Sequence, residues 1–444
     1  MSKVWLLLQC SISVATLVVI ATGAQGQSVD IMSSPNVVGS GARALGMGGA
    51  FIAIADDATA ASWNPGGLTQ LERPELSLVY DFKWNSEKYS SWSHPEIEGI
   101  YDVDFNGFNY ASGVYPIRRT IAGRNLVLSL NYQRQYDFDR KLDFRYRDSL
   151  GLAGGNIAGI MSNIEYKQRG QLSSISPAFG FELTQRLSVG LVLNIWDESL
   201  LPNNEWEIDM DERRTFHING VMNPWSWTRF SMRKKYSGFR GVNATIGALY
   251  RVTGRLQVGM VYHTKFTADV NYERRVRIWG GAGNGFVTDR RSQEIVFPSA
   301  IGVGAAYRFP NDKLTVSMDV TRREWDQFLI HDPHNRQLNR RRISGVTGLP
   351  PDQHDVDPTY TVRLGAEYVF VNEKKAIPNL LPSIRAGFFY DPEPASNRPD
   401  NFFGLGRGDG RPDEYYGISL GAGVLIKNRV NIDAAYVYRW GAGG

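Results

Sequence analysis

The chain has 444 residues, and its 49 Lys and Arg against 45 Asp and Glu leave a formal net charge of only +4. That balance offers no electrostatic basis for binding nucleic acid. A mean hydropathy of −0.30 excludes a bundle of apolar membrane-spanning helices. The 21 Tyr, 11 Trp and 46 Gly instead favour β-structure with tight turns.

The first 26 residues have the order of parts typical of a secretory signal peptide. Lys3 supplies a positive charge, residues 4–20 are mostly apolar, and small residues fill the next positions. We expect cleavage after Ala24 or Gly26, with an uncleaved membrane anchor as the alternative. Cys10, the one cysteine of the chain, lies in this segment, so the exported chain has no disulfide to stabilise it.

Farther along the chain, segments of alternating apolar and polar side chains predict β-strands. In one of them, Leu128 and Leu130 lie on one face, and Ser129 and Asn131 lie on the other. The same alternation recurs in several segments: 314–321, 360–368, 383–390 and 430–440.

Alternating strands fit both a soluble sandwich, with the apolar faces inside, and a membrane barrel, with those faces in lipid. The export signal and strand lengths of ~9–12 residues favour the barrel. The apolar faces also often end in aromatic residues, as in the interfacial girdles of outer-membrane barrels. These include Tyr132, Tyr368, Tyr390, Tyr438 and Trp440. We predict an all-β fold, a transmembrane antiparallel β-barrel of about 14 strands in a Gram-negative-type outer membrane.

Short and long connections alternate between the predicted strands. Outer-membrane barrels have short turns on one rim and long loops on the other, so this alternation is a further indication of a barrel. Tight turns are predicted at 184–186, 253–254, 309–312 and 427–429. Long polar loops are predicted at about 271–294, 325–358 and 391–414.

The stretch Gly41–Leu68, GARALGMGGAFIAIADDATAASWNPGGL, resembles the N-terminal hatch of the FadL family of outer-membrane transporters. The family pattern has a Gly-rich beginning, Ala-Asp-Asp, and an Asn-Pro-Ala turn followed by Gly-Leu, whereas here the third turn residue is Gly66. The resemblance implies a fourteen-stranded barrel that is plugged by its N-terminal segment. It also implies uptake of long-chain fatty acids or related hydrocarbons, which leave sideways through an opening in the wall. Weaker similarity covers 297–304, 313–325, 363–368, 384–391 and 432–438.

The residues of this stretch are themselves compatible with a compact plug. Asp56 or Asp57 can cap a short helix that begins at Ala58 and ends at Trp63. The hatch turn Asn64-Pro65-Gly66 then ends that helix, because Pro and Gly do not continue it. An ordinary periplasmic extension is the alternative to a plug.

The predicted division of the chain is a signal peptide at 1–26, a hatch at 27–72 and a β-barrel at 73–444. A closed bacterial barrel needs an even number of strands, and the family has a further strand near its C-terminus. Two alternatives follow from this. The strand that begins near Val430 is the last strand, or the barrel lacks its last strand. We expect the second.

Charged residues on the polar faces of several strands are predicted to lie in the lumen, together with the hatch. These lumen charges are Arg363, Glu367, Arg385 and Asp433.

A hydrophobic ligand path requires large apolar side chains at inward positions, since a fatty tail gains ~0.8 kcal/mol per buried methylene. Packing on the hatch is the alternative role for such residues. The candidates for the path are Val192, Trp196, Val261 and Phe389. Glycine marks strand irregularities, and the family has a kink in an early strand, so the lateral opening is predicted at Gly107 and Phe108.

The sequence contains no convincing catalytic constellation, so we predict no enzyme activity, no metal and no cofactor. The clusters 331–334 and 352–357 read as solvated loops, with calcium at 352–357 as the alternative. The expected partners are a hydrophobic small molecule and outer-membrane lipid, without nucleic acid, and we expect a monomer. The alternative function is a FadL-like shuttle or scaffold of a secretion system at the cell surface, because such relatives share the Gly-rich beginning and the Asn-Pro turn.

Overall fold

The computed structural model describes residues 39–89, 99–117, 123–151, 157–280, 284–310, 312–332, 342–346, 350–352, 356–371, 379–392, 394 and 414–442. The predicted signal peptide therefore lies outside the described residues. Within the described ranges, no helix combines the length and the apolar character needed to cross a membrane.

The described chain folds into nineteen strands that belong to one sheet. The strands are β1 (Glu75–Tyr89), β2 (Gly99–Pro116), β3 (Leu126–Asp137), β4 (Arg140–Gly151), β5 (Ile157–Glu182), β6 (Leu187–Asp197), β7 (Glu205–Ile218), β8 (Val221–Arg251), β9 (Leu256–His263), β10 (Phe266–Gly280), β11 (Gly285–Phe297), β12 (Ala300–Arg308), β13 (Leu314–Arg323), β14 (Leu329–His331), β15 (Arg342–Ser344), β16 (Thr359–Val369), β17 (Leu380–Pro392), β18 (Glu414–Ile426) and β19 (Val430–Ala442).

One series of strands, which we call the wall, pairs antiparallel in the order β1, β2, β3, β5, β6, β8, β9, β12, β13, β16, β17, β18 and β19. No pairing joins β1 to β19 within the described part of the chain. The tight turns predicted at 184–186, 253–254, 309–312 and 427–429 each connect two neighbouring wall strands.

Side chains of the wall are apolar outside and polar inside. Leu128 and Leu130 are 45% and 60% exposed, whereas Ser129 and Asn131 between and beside them are 6% and 1% exposed. Met318 on β13 follows the same rule, at 48% exposed. A soluble sandwich would bury the leucines, so the burial pattern confirms the barrel orientation.

A second series of strands, which we call the extension, continues beyond one rim of the wall. It contains β4, the first half of β5, β7, the first half of β8, β10, β11, β14 and β15, paired in that order. Strands β5 and β8, of 26 and 31 residues, belong to both series. The prediction of a long polar loop at 271–294 was wrong, because all but one of the described residues of this range belong to the paired strands β10 and β11.

The residues before β1 form a compact segment, Ser40–Leu71, which we call the N-terminal segment. It contains α1 (Ala42–Gly46), α2 (Ala60–Trp63) and a 3₁₀ helix, Pro65–Gln70. Another 3₁₀ helix, Trp325–Gln327, lies between β13 and β14.

Candidate functional site

Inward-facing side chains from strands all around the wall bind the backbone of the N-terminal segment. Ser317 Oγ of β13 donates to Ala50 O at 2.7 Å, and Ile52 N donates to Asp319 Oδ2 at 2.8 Å. On the other side of the wall, Tyr110 Oη of β2 donates to Ala58 O at 3.0 Å. Because these partners lie on distant strands, the segment occupies the space that the wall encloses.

The predicted hatch turn is a buried hydrogen-bonding centre. Asn64 Oδ1 accepts a hydrogen bond from Gly66 N at 3.0 Å, which caps the 3₁₀ helix that Pro65 begins. Asn64 Nδ2 donates to Ile52 O at 2.8 Å within the segment and to Ala248 O of β8 at 3.0 Å. One fully buried amide therefore joins the turn both to its own segment and to the wall.

The predicted helix cap at Asp56 or Asp57 was wrong. The N-cap residue of α2 is Thr59, because the helix begins at Ala60 rather than at Ala58. Asp57 Oδ1 accepts from Thr59 N at 2.8 Å in a local turn, while Asp56 forms an ion pair with an arginine of α1. Asp56 and Asp57 thus stabilise the turn that precedes α2 rather than the first turn of the helix.

The arginine of α1, Arg43, is the centre of a partly buried ion-pair network. Its guanidinium contacts Glu367 of β16 in a bidentate pair at 2.9 and 2.8 Å and Asp56 at 2.5 Å. Glu367 also pairs with Arg385 at 2.7 Å, and Arg385 pairs with Asp433 at 2.6 Å. Burial acts to lower the pKa of Arg43, but the carboxylates of Asp56 and Glu367 outweigh it and hold that pKa well above its usual value.

Of the predicted lumen charges, Glu367 and Arg385 are each 5% exposed, and both belong to this network. Arg363 instead donates from Nη1 to Gly48 O at 3.0 Å. The structure therefore places Arg363, Glu367, Arg385 and Asp433 together against or just beneath the N-terminal segment.

Glycines on the inner face of the wall allow the backbone of the N-terminal segment to approach closely. A Cβ atom at Gly387 would collide with the backbone of Gly48, and one at Gly190 would collide with the backbone of Pro65. Ordinary side chains at these positions would therefore displace the segment.

Beyond the N-terminal segment, the wall and the extension together enclose a cluster dominated by aromatic side chains, which we call the aromatic core. Phe297 stacks on Phe266 with ring centroids 4.8 Å apart, and Trp196 stacks on Phe266 at 5.7 Å. Trp206 stacks on Tyr236 at 4.5 Å in the extension. The other members are Tyr136, Phe138, Leu142, Tyr166, Leu172, Ile208, Phe239, Ala268, Val270, Tyr272, Ile295, Trp325, Phe328, Ile330, Ile343 and Val356.

The four predicted path residues are buried but lie in different surroundings. Trp196 belongs to the aromatic core, and its Nε1 donates to Asn243 Oδ1 at 2.8 Å. Val192 packs in the cluster around the N-terminal segment. Val261 is also buried, and Phe389 lies 5.5 Å below the guanidinium of Arg363.

The ladder between β2 and β3 ends partway along both strands. It runs from the pair Pro116–Val127 to the pair Tyr110–Gln133, whereas β1 and β2 stay paired as far as Tyr89 and Gly99. The predicted opening residues Gly107 and Phe108 lie in β2 just past this end.

Two bulges flank the end of the ladder. The register between β1 and β2 shifts at Asn109, and the register between β3 and β5 shifts at Gln135. A bulge adds an unpaired residue and bends its strand. The strand irregularity that the sequence assigned to Gly107 and Phe108 is therefore at Asn109 in β2, with a second in β3.

The sequence did not predict most of the aromatic core or the residues of β3 beyond the ladder end. Tyr136 lies beyond the end of the alternating stretch that was recognised in β3, and Phe297 ends a strand that was read as a loop. Gln135 has no signal in a single sequence, because a bulge depends on how many residues the partner strand contributes.

An antiparallel wall that is apolar outside and holds an N-terminal segment inside defines a class of plugged β-barrels. A solved FadL homologue from Pseudomonas aeruginosa has this fold, with a TM-score of 0.55 at 17% identity over 92% of both chains. The CymD monoaromatic hydrocarbon channel gives a TM-score of 0.50 at 16% identity, over 92% of this chain and 94% of that one. The chain therefore has a FadL-type β-barrel fold, as the sequence resemblance predicts. The sequence matches no protein-family model and no curated protein.

Proposed function

We propose that this chain is an outer-membrane channel for the passive uptake of hydrophobic small molecules, such as long-chain fatty acids or hydrocarbons. The observation that carries this function is the aromatic core, which is enclosed by the barrel and reaches the place where the β2–β3 ladder ends. Tyr136 lies on β3 just beyond Gln133, the last residue of that ladder. Its ring centroid is 5.3 Å from that of Phe297 and 6.0 Å from that of Trp196. Aromatic faces bind apolar ligands without requiring a polar group on them.

The ligand would travel from the aromatic core sideways into the membrane rather than straight through the barrel. Residues 27–72 act as the hatch in this scheme, and the described part of that range is held by hydrogen bonds from several wall strands. The apolar outer face of the wall supports a location in lipid. The fold shared with a FadL homologue and with a hydrocarbon channel supports the same scheme.

The predicted site residues take distinct roles in this scheme. Trp196 lines the path, and Gly107 and Phe108 border the lateral opening. Val192 and Val261 pack near the hatch, which was the alternative role for them. Phe389 lies beside the hatch charges rather than in the aromatic core. The four lumen charges hold the hatch in place. None of these roles requires catalysis, a metal or a cofactor.

Uptake in a Gram-negative host that lacks its own fatty-acid channel tests the function. Cells that express the full chain should accumulate radiolabelled toluene and oleate faster than cells with an empty vector. Phe297→Asp should reduce the rate to the vector level, because a carboxylate in the aromatic core strongly disfavours an apolar ligand. Phe286→Asp is the matched control, since Phe286 is 60% exposed and lies outside the aromatic core.

Heat-modifiable migration in detergent gels shows whether each variant has folded. If Phe297→Asp does not fold, Phe297→Ala serves instead, and it should change the relative rates for toluene and oleate by altering the space among the rings. Wild-type uptake equal to the empty vector would overturn the function. If a secreted protein then co-purified with the chain, that result would point to the shuttle.

A further inference from the structure

We propose that two side-chain ion pairs act as a latch between β1 and β3, and hold the lateral opening closed where the main-chain ladder is missing. The pairs are Asp81–Arg134 and Lys83–Asp137. The role of the latch as a gate rests on the proposed uptake function, whereas the latch itself concerns only the position of the β1–β2 hairpin.

Beyond the last ladder pair, Tyr110–Gln133, main-chain bonds no longer tie the β1–β2 hairpin to β3 in the described structure. The hairpin itself continues to Tyr89 and Gly99. A main-chain ladder contributes a net ~0.5–1.5 kcal/mol per hydrogen bond and cannot open at one point without breaking several bonds. Contacts between side chains are therefore what remains to hold this part of the hairpin.

Inward side chains of β1 make these contacts. Asp81 Oδ2 lies 3.2 Å from Arg134 Nη2, and Lys83 Nζ lies 3.3 Å from Asp137 Oδ2. The bulge residue Asn109 donates from Nδ2 to the same Asp81 oxygen at 2.5 Å, so the irregularity in β2 positions the latch carboxylate.

The two pairs are asymmetric in their burial. The β3 partners Arg134 and Asp137 are almost fully buried, with side chains 1% and 4% exposed. The β1 partners Asp81 and Lys83 are 20% and 37% exposed. The charges on β3 are therefore held inside the protein, while their partners on β1 lie nearer to the surface, on the strand that we propose moves.

The free energy of a buried ion pair suits a contact that can both open and close. The attraction within a buried ion pair is largely offset by the desolvation of its charges, so the closed state has only a small net advantage. Removing one partner takes away part of the compensation for the buried charge on β3, and this favours the open arrangement. Each of the four side chains should thus shift the balance between the closed and open hairpin.

The latch adjoins the proposed ligand path. Tyr136 lies on β3 between Arg134 and Asp137 along the chain, and its ring packs against Phe297. Movement of the hairpin away from β3 would therefore expose the edge of the aromatic core through the wall.

Distances between spin labels in the full chain, reconstituted in lipid vesicles, test the latch. The labels are placed at Ser86→Cys on β1 and Lys141→Cys on β4, two exposed positions, with Cys10→Ser removing the other cysteine. Asp81→Asn and Asp137→Asn should each shift the distance distribution to longer values, and the double variant should shift it furthest. The charge-exchanged variant Asp81→Arg with Arg134→Asp should restore the short distance.

The matched control is Arg169→Gln, which breaks an ion pair with Glu207 in which the arginine is 61% exposed, and it should leave the distribution unchanged. A wild-type distribution in the Asp81→Asn, Asp137→Asn double variant would overturn the latch. The same samples are tested for toluene uptake, which should rise severalfold in the double variant. If the label distances respond while neither wild type nor variant transports toluene, the latch stands and the uptake function fails.

Discussion

The interior of the barrel contains two regions that are equally buried and differently built. Around the N-terminal segment, small residues, backbone hydrogen bonds and ion pairs fit one backbone against another. In the aromatic core, large rings contact one another with few hydrogen bonds. Directional polar contacts specify a single arrangement, whereas rings can slide and part around an apolar guest. The comparison indicates that the first region closes the lumen and the second accommodates the ligand.

The largest effect should come from breaking the ion-pair network. In Glu367→Gln, Arg43 and Arg385 lose the carboxylate between them and keep Asp56 and Asp433 as their closest remaining carboxylates. Breaking a buried ion pair costs up to ~3–5 kcal/mol. The N-terminal segment should then detach, and planar bilayers that contain the variant should conduct ions well above the wild-type level.

Glu207→Gln is the control for this change, because Glu207 pairs with Arg169 on the exposed face of the extension. It should cost at most ~1 kcal/mol and leave the conductance unchanged. Equal conductance in Glu367→Gln and wild type would mean that charge is not what holds the segment.

A smaller effect is expected from filling the space that a wall glycine leaves for the segment. In Gly387→Ala, the new Cβ collides with the backbone of Gly48, and overpacking of this kind costs ~1–3 kcal/mol. The variant should unfold at lower urea concentration than wild type and show intermittent ion conductance. Gly285→Ala, whose new Cβ meets no atom within 4 Å, should behave as wild type. If both alanines had the same effect, close backbone packing would not be the cause.

The smallest effect concerns Asp139, which lies in the connection between β3 and β4 beside the aromatic core. Burial, and then the neighbouring charge of Asp137, raise the pKa of Asp139 to about 7. Because the protonated carboxyl is favoured in the folded state, stability should fall as the pH rises from the ordinary Asp pKa of about 4 towards 7. The Asp139→Asn variant has no carboxyl to titrate, so it should not lose stability over this pH range. The new asparagine side chain can still accept the hydrogen bond from Gly170 N.

Urea unfolding at two pH values checks this prediction. At pH 4 the variant and the wild type should be nearly equal, and at pH 8 the variant should be more stable by roughly 1 kcal/mol, after allowance for the partial exposure of the group. A difference that is the same at both pH values would exclude titration of Asp139 as its cause.

The polar region around the N-terminal segment was largely predictable from sequence. Glu367 and Arg385 stood out because polar groups recur at alternate positions of otherwise apolar strands. Asn64 stood out because it begins the Asn-Pro-Gly turn that ends a short helix. The cap was misplaced because Asp56, Asp57 and Thr59 are all acceptable cap residues, and a partner on α1 decides among them.

The aromatic core was less predictable. Trp196 was identified, but Phe297 and Tyr136 were not, because rings from strands far apart in the chain become neighbours only through the pairing of the extension. The hairpin of β10 and β11 was read as a loop, since charged residues on its outer face concealed its alternation.

The sequence by itself determined the alternating strands, the compact N-terminal segment and the charges on the polar strand faces, because alternation and turn chemistry act over a few neighbouring residues. Only the tertiary structure decided where the β2–β3 ladder ends, which side chains bridge it, and which rings form the aromatic core. Those features depend on register between strands, and register is a property of the assembled sheet rather than of any one segment.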